Sequence, residues 1–385
     1  MISSSNDASG RIHTDSIPLL RIYKDPFVIF SGLILIVLLY LKPTPASRLY
    51  SFIHWPTIAA LAGLLAITTG FSQSGLMEYG AEHLIEILHT KQGLWFSLIL
   101  FSAVGAMFLT NDIVLFLIIP FTLRLHSKMP LKIRPLLIIE TIAVNAGSML
   151  TPIGNPQNIY LWQKSHLSFF TFTGVMLVPV LIQIILLLTI ISFIGDKGAL
   201  SKKISFSQAK NYYPLALVSV MLLIGYLIAN RMGSGLYAVG FILMFYLLFY
   251  RKIFLSIDWS LIVLFLFLFI DVGIVTQFSF VKTFSASLNL SNPLHVAGAG
   301  IGYSQVISNV PATLLLAHFT RQWKYLAWGV NIGANGLLIS SFANFIAVRL
   351  AHSQKIGWVY HYYAIPFLVI SGGLVYLWIS LFGMY

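Results

Sequence analysis

The sequence of 385 residues contains no cysteine and is poor in charge, with 9% Asp, Glu, Lys and Arg against 58% hydrophobic residues. The absence of cysteine excludes disulfides, thiolate chemistry and cysteine-ligated metal sites. Soluble domains carry about 25% charged residues. This chain therefore lacks the charge needed to cover a surface that faces water, and its solvent must be largely the lipid bilayer.

Polar stretches are also scarce, and the longest are residues 1–26 and 196–211. The run 27–41, followed by small residues, could be read as a cleaved signal peptide. The 26 residues before it are too long and too mixed in charge for that, which favours an uncleaved first span. Apolar runs near the roughly 20 residues that cross a bilayer predict spans near 27–41, 52–70, 135–163, 169–195, 212–230, 235–250, 258–276, 325–352 and 358–382.

Two further apolar stretches, 94–124 and 294–319, carry polar residues at their centres. These are Thr110-Asn111-Asp112 in the first stretch and Ser308-Asn309 in the second. A lipid-facing helix would not place such groups in the middle of the membrane, because unsatisfied polar groups there cost several kcal/mol each. Both stretches are therefore predicted to form re-entrant hairpins with polar tips.

The net charge of +12 would also suit a nucleic-acid-binding protein. The basic residues, however, sit in short loops between apolar runs, which is the arrangement that orients membrane proteins. Loops 124–134 and 196–210 carry four Lys or Arg each, which predicts a cytoplasmic location for both loops and for the N-terminus. The two hairpins then enter the membrane from opposite sides, and no nucleic-acid partner is expected.

The chain contains an internal repeat. Asn145-Ala-Gly147 and, further on, Asn158 have counterparts in Asn331-Ile-Gly333 and Asn344 at the same spacing. Asn111 in the first hairpin has its partner in Asn309 in the second. Because the two copies have opposite predicted orientation, the sequence indicates inverted repeats with a binding site near the membrane midplane.

Residues 145–158 are expected to interrupt a helix. Pro152 and Pro156 lack amide donors, and Gly147 and Gly154 are weak helix formers. A break frees carbonyl groups, which suit Na⁺, and creates a half-helix N-terminus, which suits an anion. The alternative is a simple proline kink repaired by neighbouring helices. The second break, at 331–344, contains glycine, serine and asparagine but no proline.

Three acidic residues lie within apolar runs: Asp112, Glu140 and Asp271. Carboxylates inside the membrane are costly and usually functional. We expect Asp112 to bind the coupling cation or proton. Glu140 is either a coupling residue or a hydrogen-bonding pin between helices, and Asp271 is interpreted as a pin.

Four segments resemble the ion-transporter superfamily, in the branch of arsenite permeases, NhaD antiporters and citrate transporters, and within it the YbiR-type inner-membrane proteins. They are Phe-Leu-Thr-Asn-Asp-Ile-Val-Leu-Phe (108–116), Val-Asn-Ala-Gly-Ser-Met-Leu-Thr-Pro-Ile-Gly-Asn-Pro-Gln-Asn (144–158), Ser-Gln-Val-Ile-Ser-Asn-Val-Pro-Ala-Thr (304–313) and Ser-Phe-Ala-Asn (341–344). The resemblance extends from about residue 27 to residue 382. It implies a scaffold, a moving transport unit and an elevator-like homodimer.

In the dicarboxylate relatives each hairpin tip carries Ser-Asn-Thr, which binds Na⁺ and the substrate carboxylate. Here the corresponding residues are Thr110-Asn111-Asp112 and Ser308-Asn309-Val310. The asparagine matches in both tips, but Asp112 and Val310 stand where the relatives have threonine. Di- or tricarboxylate specificity therefore does not carry over, and Asp112 favours proton or cation coupling.

We predict an all-α polytopic membrane protein with inverted repeats, two re-entrant hairpins, two discontinuous helices and about nine spans. Its parts are a cytoplasmic segment (1–26), a first repeat (27–195), a basic cytoplasmic linker (196–211) and a second repeat (212–385). The predicted location is the bacterial inner membrane.

The predicted function is secondary transport of a small anion, with Na⁺ or H⁺ as coupling ion and no cofactor. A Na⁺/H⁺ antiporter and an arsenite-type efflux permease are the alternatives. A channel would need a continuous pore rather than opposed hairpins. An enzyme is not expected, because the sequence has no H-E-x-x-H, G-x-S-x-G or phosphate-loop motif.

The predicted site residues form two groups. The substrate-binding residues are Asn111, Asn145, Ser148, Thr151, Asn155, Asn158, Ser308, Asn309, Asn335 and Asn344. The ion-coupling residues are Thr110, Asp112 and Glu140, and the candidate ligands for Na⁺ are Asn111, Asp112 and Gly154.

Overall fold

A computed structural model describes residues 25–76, 79–80, 83, 88–200, 213–351 and 354–382. Over these ranges the chain is helical and contains no strand, apart from one isolated bridge between Thr90 and Ala199. The predicted all-α fold class is therefore confirmed. Most of the predicted N-terminal segment and residues 201–211 of the basic linker lie outside the described residues, and the division into two repeats at the linker stays a prediction.

The first half of the chain alternates long apolar helices with short ones. In order these are α1 (Pro26–Leu41), α2 (Ala46–Phe52), α3 (Trp55–Gln73), α4 (Lys91–Phe108), α5 (Asn111–Lys128), α6 (Ile133–Ser148), α7 (Pro156–Ser165) and α8 (Phe169–Ile194). Helices α1 and α7 begin with proline, which is favourable there because the first helical N–H has no partner within the helix.

The second half continues the pattern. Its helices are α9 (Tyr213–Arg231), α10 (Gly235–Phe249), α11 (Arg251–Ser256), α12 (Trp259–Val275), α13 (Ser279–Ser287), α14 (Pro293–Ile307), α15 (Asn309–Leu316), α16 (Trp323–Gly333), α17 (Phe342–Leu350) and α18 (Gly357–Phe382). A short 3₁₀ turn at Leu338–Ser340 lies between α16 and α17.

By length and composition, five of the described helices could cross a membrane: α3, α4, α8, α9 and α18. The pair α12 and α13, bent by 85°, can be counted as a sixth, and α1 and α10 are shorter apolar helices. The predicted spans 135–163 and 325–352 each consist of two helices, α6 with α7 and α16 with α17. The chain is therefore a multi-pass membrane protein.

Helices α4 and α5 fold back on each other as the first hairpin. Lys91 Nζ, at the start of α4, donates to the carbonyl oxygen of Pro130, just beyond the end of α5, over 2.9 Å. Each arm has 18 residues, or about 27 Å at the α-helical rise. Helix α8 has 26 residues, or about 39 Å. The first hairpin therefore turns before it covers the distance that α8 crosses.

Helices α14 and α15 form the second hairpin, with its turn at Ser308. The open end is held by Thr320 Oγ1, which donates to the carbonyl oxygen of Leu290 over 2.7 Å. The two arms are unequal, with 15 and 8 residues.

The two hairpins open on opposite faces of the helix bundle. Lys132 N, after the first hairpin, donates to Asp196 Oδ2, beyond the end of α8, over 2.7 Å. Lys164 Nζ, before the start of α8, donates to the carbonyl oxygen of Ala317, at the end of the second hairpin. Because α8 runs between these two contacts, the hairpins enter from opposite sides. We call these sides the hairpin-1 face and the hairpin-2 face.

The first arm of each hairpin packs tightly on the first half of its broken helix. Gly147 in α6 lies directly against the backbone of Ala103 in α4. Its repeat counterpart Gly333 lies against α14, where an added Cβ would come within 2.8 Å of the Ser304 Cβ. The close approach couples hairpin and broken helix in both halves.

Gly147→Ala should therefore destabilise the protein strongly. Its new methyl group would meet backbone atoms of Ala103, which cannot rotate away. Overpacking usually costs about 1–3 kcal/mol of stability. The loss of stability here should exceed that range by roughly 1 kcal/mol or more. The thermal unfolding temperature in detergent measures the effect. Gly174→Ala in α8 is the matched control, because an added Cβ there meets no atom within 4 Å. Equal losses in the two variants would contradict the expectation.

Candidate functional site

The first helix break, between α6 and α7, is held together by asparagine side chains. Asn155 is the N-cap of α7, and its side chain accepts from Asn158 N over 3.0 Å. Asn158 Nδ2 donates to the carbonyl oxygens of Met149 at 3.0 Å and Thr151 at 3.1 Å. The carbonyl groups freed by the break therefore find partners within the protein, as burial requires.

The second break, between α16 and α17, is also held together by side chains that bond to the freed carbonyl groups. Asn344 Nδ2 donates to the carbonyl oxygens of Ala334 at 2.9 Å and Leu337 at 3.2 Å. Ser340 Oγ donates to the carbonyl of Ala334 over 2.9 Å. Ser341 caps α17, accepting from Ala343 N over 3.3 Å.

The two breaks exchange hydrogen bonds. Asn145 Nδ2 donates to Asn344 Oδ1 over 2.8 Å, and Asn331 Nδ2 donates to Asn158 Oδ1 over 2.7 Å. Asn331 and Asn344 each follow their first-half counterparts by 186 residues, so the two bonds are equivalent under the repeat. All four side chains are buried. The repeat seen in the sequence is thus a pair of reciprocal contacts in the structure.

Asn331 is the centre of this network. Its Oδ1 accepts from Asn155 Nδ2 at 2.9 Å and from Gln157 Nε2 at 3.2 Å. Its Nδ2 also donates to the carbonyl oxygen of Ala327 over 2.8 Å. Ser148 lies at the edge of the network, where its carbonyl oxygen accepts from Asn155 Nδ2 over 3.3 Å.

Each hairpin is bonded to its own break. In the first half, Asn111 N donates to the carbonyl oxygen of Gly154 at 2.9 Å, and Thr151 Oγ1 donates to that of Met107 at 2.6 Å. In the second half, Gln305 Nε2 donates to the carbonyl oxygen of Gly333 over 2.8 Å. Gln305 Oε1 accepts from the backbone N–H of Leu337 over 2.8 Å. Hairpin tips and breaks therefore form one connected polar region.

The hairpin tips retain groups without partners in the described part of the chain. Asn111 Oδ1 accepts from Asp112 N at 3.1 Å and Asn309 Oδ1 accepts from Ser308 Oγ at 3.4 Å, but neither asparagine Nδ2 makes a hydrogen bond. Asp112 Oδ1 is buried and also has no partner. Thr110 is buried at the turn before them. Unlike the break asparagines, the tip asparagines keep free amide donors.

Glu140 and Asp271 make no hydrogen bond to this network within the described residues. Thr122 Oγ1, in the second arm of the first hairpin, donates to Glu140 Oε1 over 2.6 Å. Ser31 Oγ in α1 donates to Asp271 Oδ2 in α12 over 2.7 Å. Each carboxylate keeps one buried oxygen without a partner, and each joins two helices.

Gln183 was not among the predicted site residues, but it lies fully buried in the middle of α8 beside the second break. Asn335 Nδ2 donates to Gln183 Oε1 over 2.9 Å. Gln183 Nε2 and Asn335 Oδ1 are both buried without partners. A single glutamine inside a 26-residue apolar helix was the signal that could have identified it.

Helix α8 is further attached to the second broken helix where Pro179 interrupts its hydrogen bonds. Proline has no N–H, so the carbonyl oxygen of Val175, four residues earlier, loses its helical donor. Trp328 Nε1 in α16 donates to that oxygen over 3.1 Å. With the Asn335–Gln183 bond, this contact ties α8 to α16 and its break.

Ser308 at the tip of the second hairpin has a strained backbone, with φ of 72° and ψ of 155°. This region is favoured only by glycine, and other residues held there cost about 1–3 kcal/mol. Such strain is often found at functional sites.

Ser308→Gly is therefore expected to raise the thermal unfolding temperature, with a gain of about 1 kcal/mol in stability, while slowing transport because the tip loses its hydroxyl and its rigidity. Unfolding in detergent and flux in proteoliposomes measure the two effects. Ser287→Gly, at the exposed end of α13, should not be stabilising. A lower unfolding temperature for Ser308→Gly would contradict the expectation.

Two cavities lie near the hairpin-2 face rather than at the asparagine network. One of about 440 Å³ is bounded by the ends of α7 and the second hairpin and the start of α16. The other, of about 650 Å³, lies between α3, α7, α9 and α10. The described residues contain no group of three or more His, Asp and Glu side chains that could hold a metal ion.

Two opposed hairpins and two interrupted helices, joined in one buried polar region of a multi-pass bundle, are typical of a membrane transporter. The family model described as "Citrate transporter" (CitMHS) matches residues 25–333. The chain belongs to the citrate transporter family, and the resemblance predicted from its motifs is confirmed.

Individual relatives agree with this assignment. The chain is 35% identical to the inner membrane protein YbiR of Escherichia coli over 96% of its length and 97% of that protein. It is 32% identical to an uncharacterized transporter of Methanocaldococcus jannaschii over 90% of its length and 92% of that protein. A 46 kDa membrane protein of Mycobacterium leprae is 25% identical over 85% of the chain and 86% of that protein.

Proposed function

We propose that the protein is a secondary active transporter that moves a small anion, a carboxylate or an oxyanion, by alternating access coupled to Na⁺ or H⁺. It has no enzymatic role in this proposal. The observation that carries the proposal is the reciprocal asparagine exchange, which joins two oppositely oriented hairpins and breaks around one buried region. We further propose a bacterial inner-membrane location with the hairpin-1 face in the cytoplasm, and a homodimer as in many relatives.

An anionic substrate is supported by the donors that converge on this region. Helices α5, α7, α15 and α17 begin beside it, and a helix N-terminus carries a partial positive charge. The free amide donors of Asn111, Asn309 and Gln183 add hydrogen bonds for oxygen atoms. Gln183 Nε2 lies beside the free acceptor Asn335 Oδ1, which suits a hydroxyl group or a protonated oxyanion.

We assign the asparagines two different roles. Asn145, Asn155, Asn158 and Asn344, with Asn331, use their amide donors within the protein and hold the breaks in shape. The tip residues, with Ser308 and Thr110, contact the substrate and the coupling ion. Thr151 and Ser148 position the first break beside its hairpin.

Coupling rests on Asp112 in this proposal. An ionised carboxylate would repel an anion unless Na⁺ or a proton arrived first, which makes anion binding depend on the cation. The Gly154 carbonyl already accepts from Asn111 N and has a second lone pair for Na⁺. Glu140, bonded to Thr122, is a candidate proton carrier between the first hairpin and α6.

A Na⁺/H⁺ antiporter without an anionic substrate is the second candidate. It is favoured by one observation, the acidic Asp112 at a hairpin tip where the dicarboxylate relatives carry threonine. The third, an arsenite-type efflux permease, rests on resemblance alone.

A thermal-shift screen of the purified protein separates these candidates. Citrate, other carboxylates and oxyanions are tested with and without Na⁺ and across pH, because a ligand stabilises in proportion to its occupancy. Stabilisation by an anion only when Na⁺ or low pH is present supports the proposal. Stabilisation by Na⁺ alone, with proton flux in proteoliposomes and no anion effect, would favour the antiporter.

A further inference from the structure

Five described segments that meet at the hairpin-2 face carry positive charge and no acidic side chain. They are 42–54, 163–168, 230–234, 276–292 and 317–322. Contacts that join them include Lys42 Nζ to the Gln277 carbonyl oxygen at 2.8 Å and Gln163 Nε2 to Asn230 Oδ1 at 3.4 Å. The five segments contain six Lys or Arg, three His and no Asp or Glu.

The cavity of about 440 Å³ concentrates this charge. Lys164, His318 and Arg321 line it, together with Ser165 and Thr320. Low-dielectric walls around charges of one sign focus the electric field and raise the local concentration of the opposite ion. The cavity therefore has the shape and the charge to collect anions.

Among the described residues, no carboxylate pairs with the charge of Lys164. Its Nζ bonds to the Tyr160 hydroxyl at 3.3 Å and to the carbonyl oxygen of Ala317. Burial first, and then the charge of Lys164, lower the pKa of His54. Burial also lowers the pKa of His318, with a hydrogen bond to the Leu314 carbonyl acting against it and the charge of Lys164 adding to it. Two histidines on different segments thus experience the same uncompensated positive charge, which an anion would relieve.

The cavity lies at the end of the helix whose other end belongs to the polar region. Lys164 and Asn155 are nine residues apart along α7, or about 13 Å at the α-helical rise. The cavity is also bounded by residues Ala317–Thr320 at the base of the second hairpin. An anion held here would lie at the base of the second hairpin, on the face where that hairpin opens.

We propose that this cavity is a vestibule in which a small anion with carboxylate or oxyanion groups docks before it reaches the hairpin tips. The inference rests on the proposed function, because it assumes an anionic substrate, and it adds a second, peripheral binding site for that substrate. Lys164 and Arg321 supply the attraction for the anion.

The kinetic test uses the full-length protein in proteoliposomes with citrate as the probe anion. At low ionic strength, the double variant K164Q/R321Q should raise KM about tenfold, the lower end of electrostatic steering effects, with kcat unchanged. Near 1 M salt, where charges are screened within about 3 Å, the difference should disappear. R48Q/K282Q, which removes two exposed charges of the same face outside the cavity, is the matched control.

Equal changes in KM in the two double variants would contradict the proposed vestibule. A change in KM that persists at high salt would also contradict it. A binding measurement keeps this result separate from the proposed function. Stabilisation of the detergent-solubilised protein by citrate at low ionic strength, with choline in place of Na⁺, is compared in the wild type, N309A and K164Q/R321Q.

If citrate stabilises the wild type and the tip variant N309A but not K164Q/R321Q, the vestibule is supported even where no anion is transported. If citrate is transported and stabilises all three equally, the vestibule is wrong and the proposed function stands.

Discussion

Asp112→Asn should make anion binding independent of the coupling ion. The neutral amide has the shape of the carboxylate but no charge, so the anion is no longer repelled when Na⁺ or H⁺ is absent. The coupling free energy that is lost should be about 1–3 kcal/mol. The wild type should bind the anion about 5 to 150 times more tightly with the ion than without it, and the variant should bind it equally in both conditions. Anion binding and gradient-driven uptake, measured across Na⁺ concentration and pH, give this ratio directly.

Asp271→Asn is the matched control for this variant. Its carboxylate also has one buried oxygen without a partner among the described residues, but its other oxygen bonds to Ser31 in α1 rather than to a residue of the breaks or hairpin tips. Ion dependence should be unchanged in this variant. If Asp112→Asn retains the ion dependence of the wild type, the assigned role of Asp112 is refuted.

Asn331→Ala should be severely destabilising. The substitution leaves the Gln157 amide without its acceptor and Asn158 Oδ1 without its donor. Asn155 Nδ2 loses its shortest bond and keeps only the bonds to Ser148 at 3.3 Å. A buried polar group left unsatisfied costs about 1–3 kcal/mol, so the total loss should be about 3 kcal/mol or more. The thermal unfolding temperature of the detergent-solubilised protein measures it.

Asn309→Ala provides the contrast. Asn309 is equally buried, but its Nδ2 has no partner within the described residues, so its removal should cost less than about 1 kcal/mol in stability. It should instead weaken anion binding. Similar unfolding temperatures for the two variants would show that the break and tip asparagines do not differ in the way proposed.

The sequence identified the hairpins and breaks because polar residues and prolines in the middle of apolar runs have few other physical explanations. The spacing of Asn145 and Asn158, repeated in Asn331 and Asn344, also indicated which residues belong together. Which donor meets which acceptor could not be predicted, since that depends on how the two halves pack. The same holds for Lys164, whose bonding partner Ala317 and neighbour His54 come from distant parts of the chain.

Gln183 is a site residue that sequence motifs could not identify. It stands alone in an apolar helix, without a motif, and its partner Asn335 is distant in the chain. Only the packing of α8 on α16, aided by the Trp328 bond to the carbonyl freed by Pro179, brings the two amides together. Residues outside the repeat motif can thus belong to the site when a neighbouring helix carries them there.

The reciprocal asparagine bonds also have a consequence for biosynthesis. When the ribosome has delivered only the first half, Asn145 and Asn158 are already in the bilayer, while their partners Asn344 and Asn331 are still unmade. Unpaired amides in lipid are unfavourable, so this half must wait in an immature state until translation passes residue 344. A truncated chain ending before that point should be a substrate for membrane quality-control proteases rather than a stable half-protein.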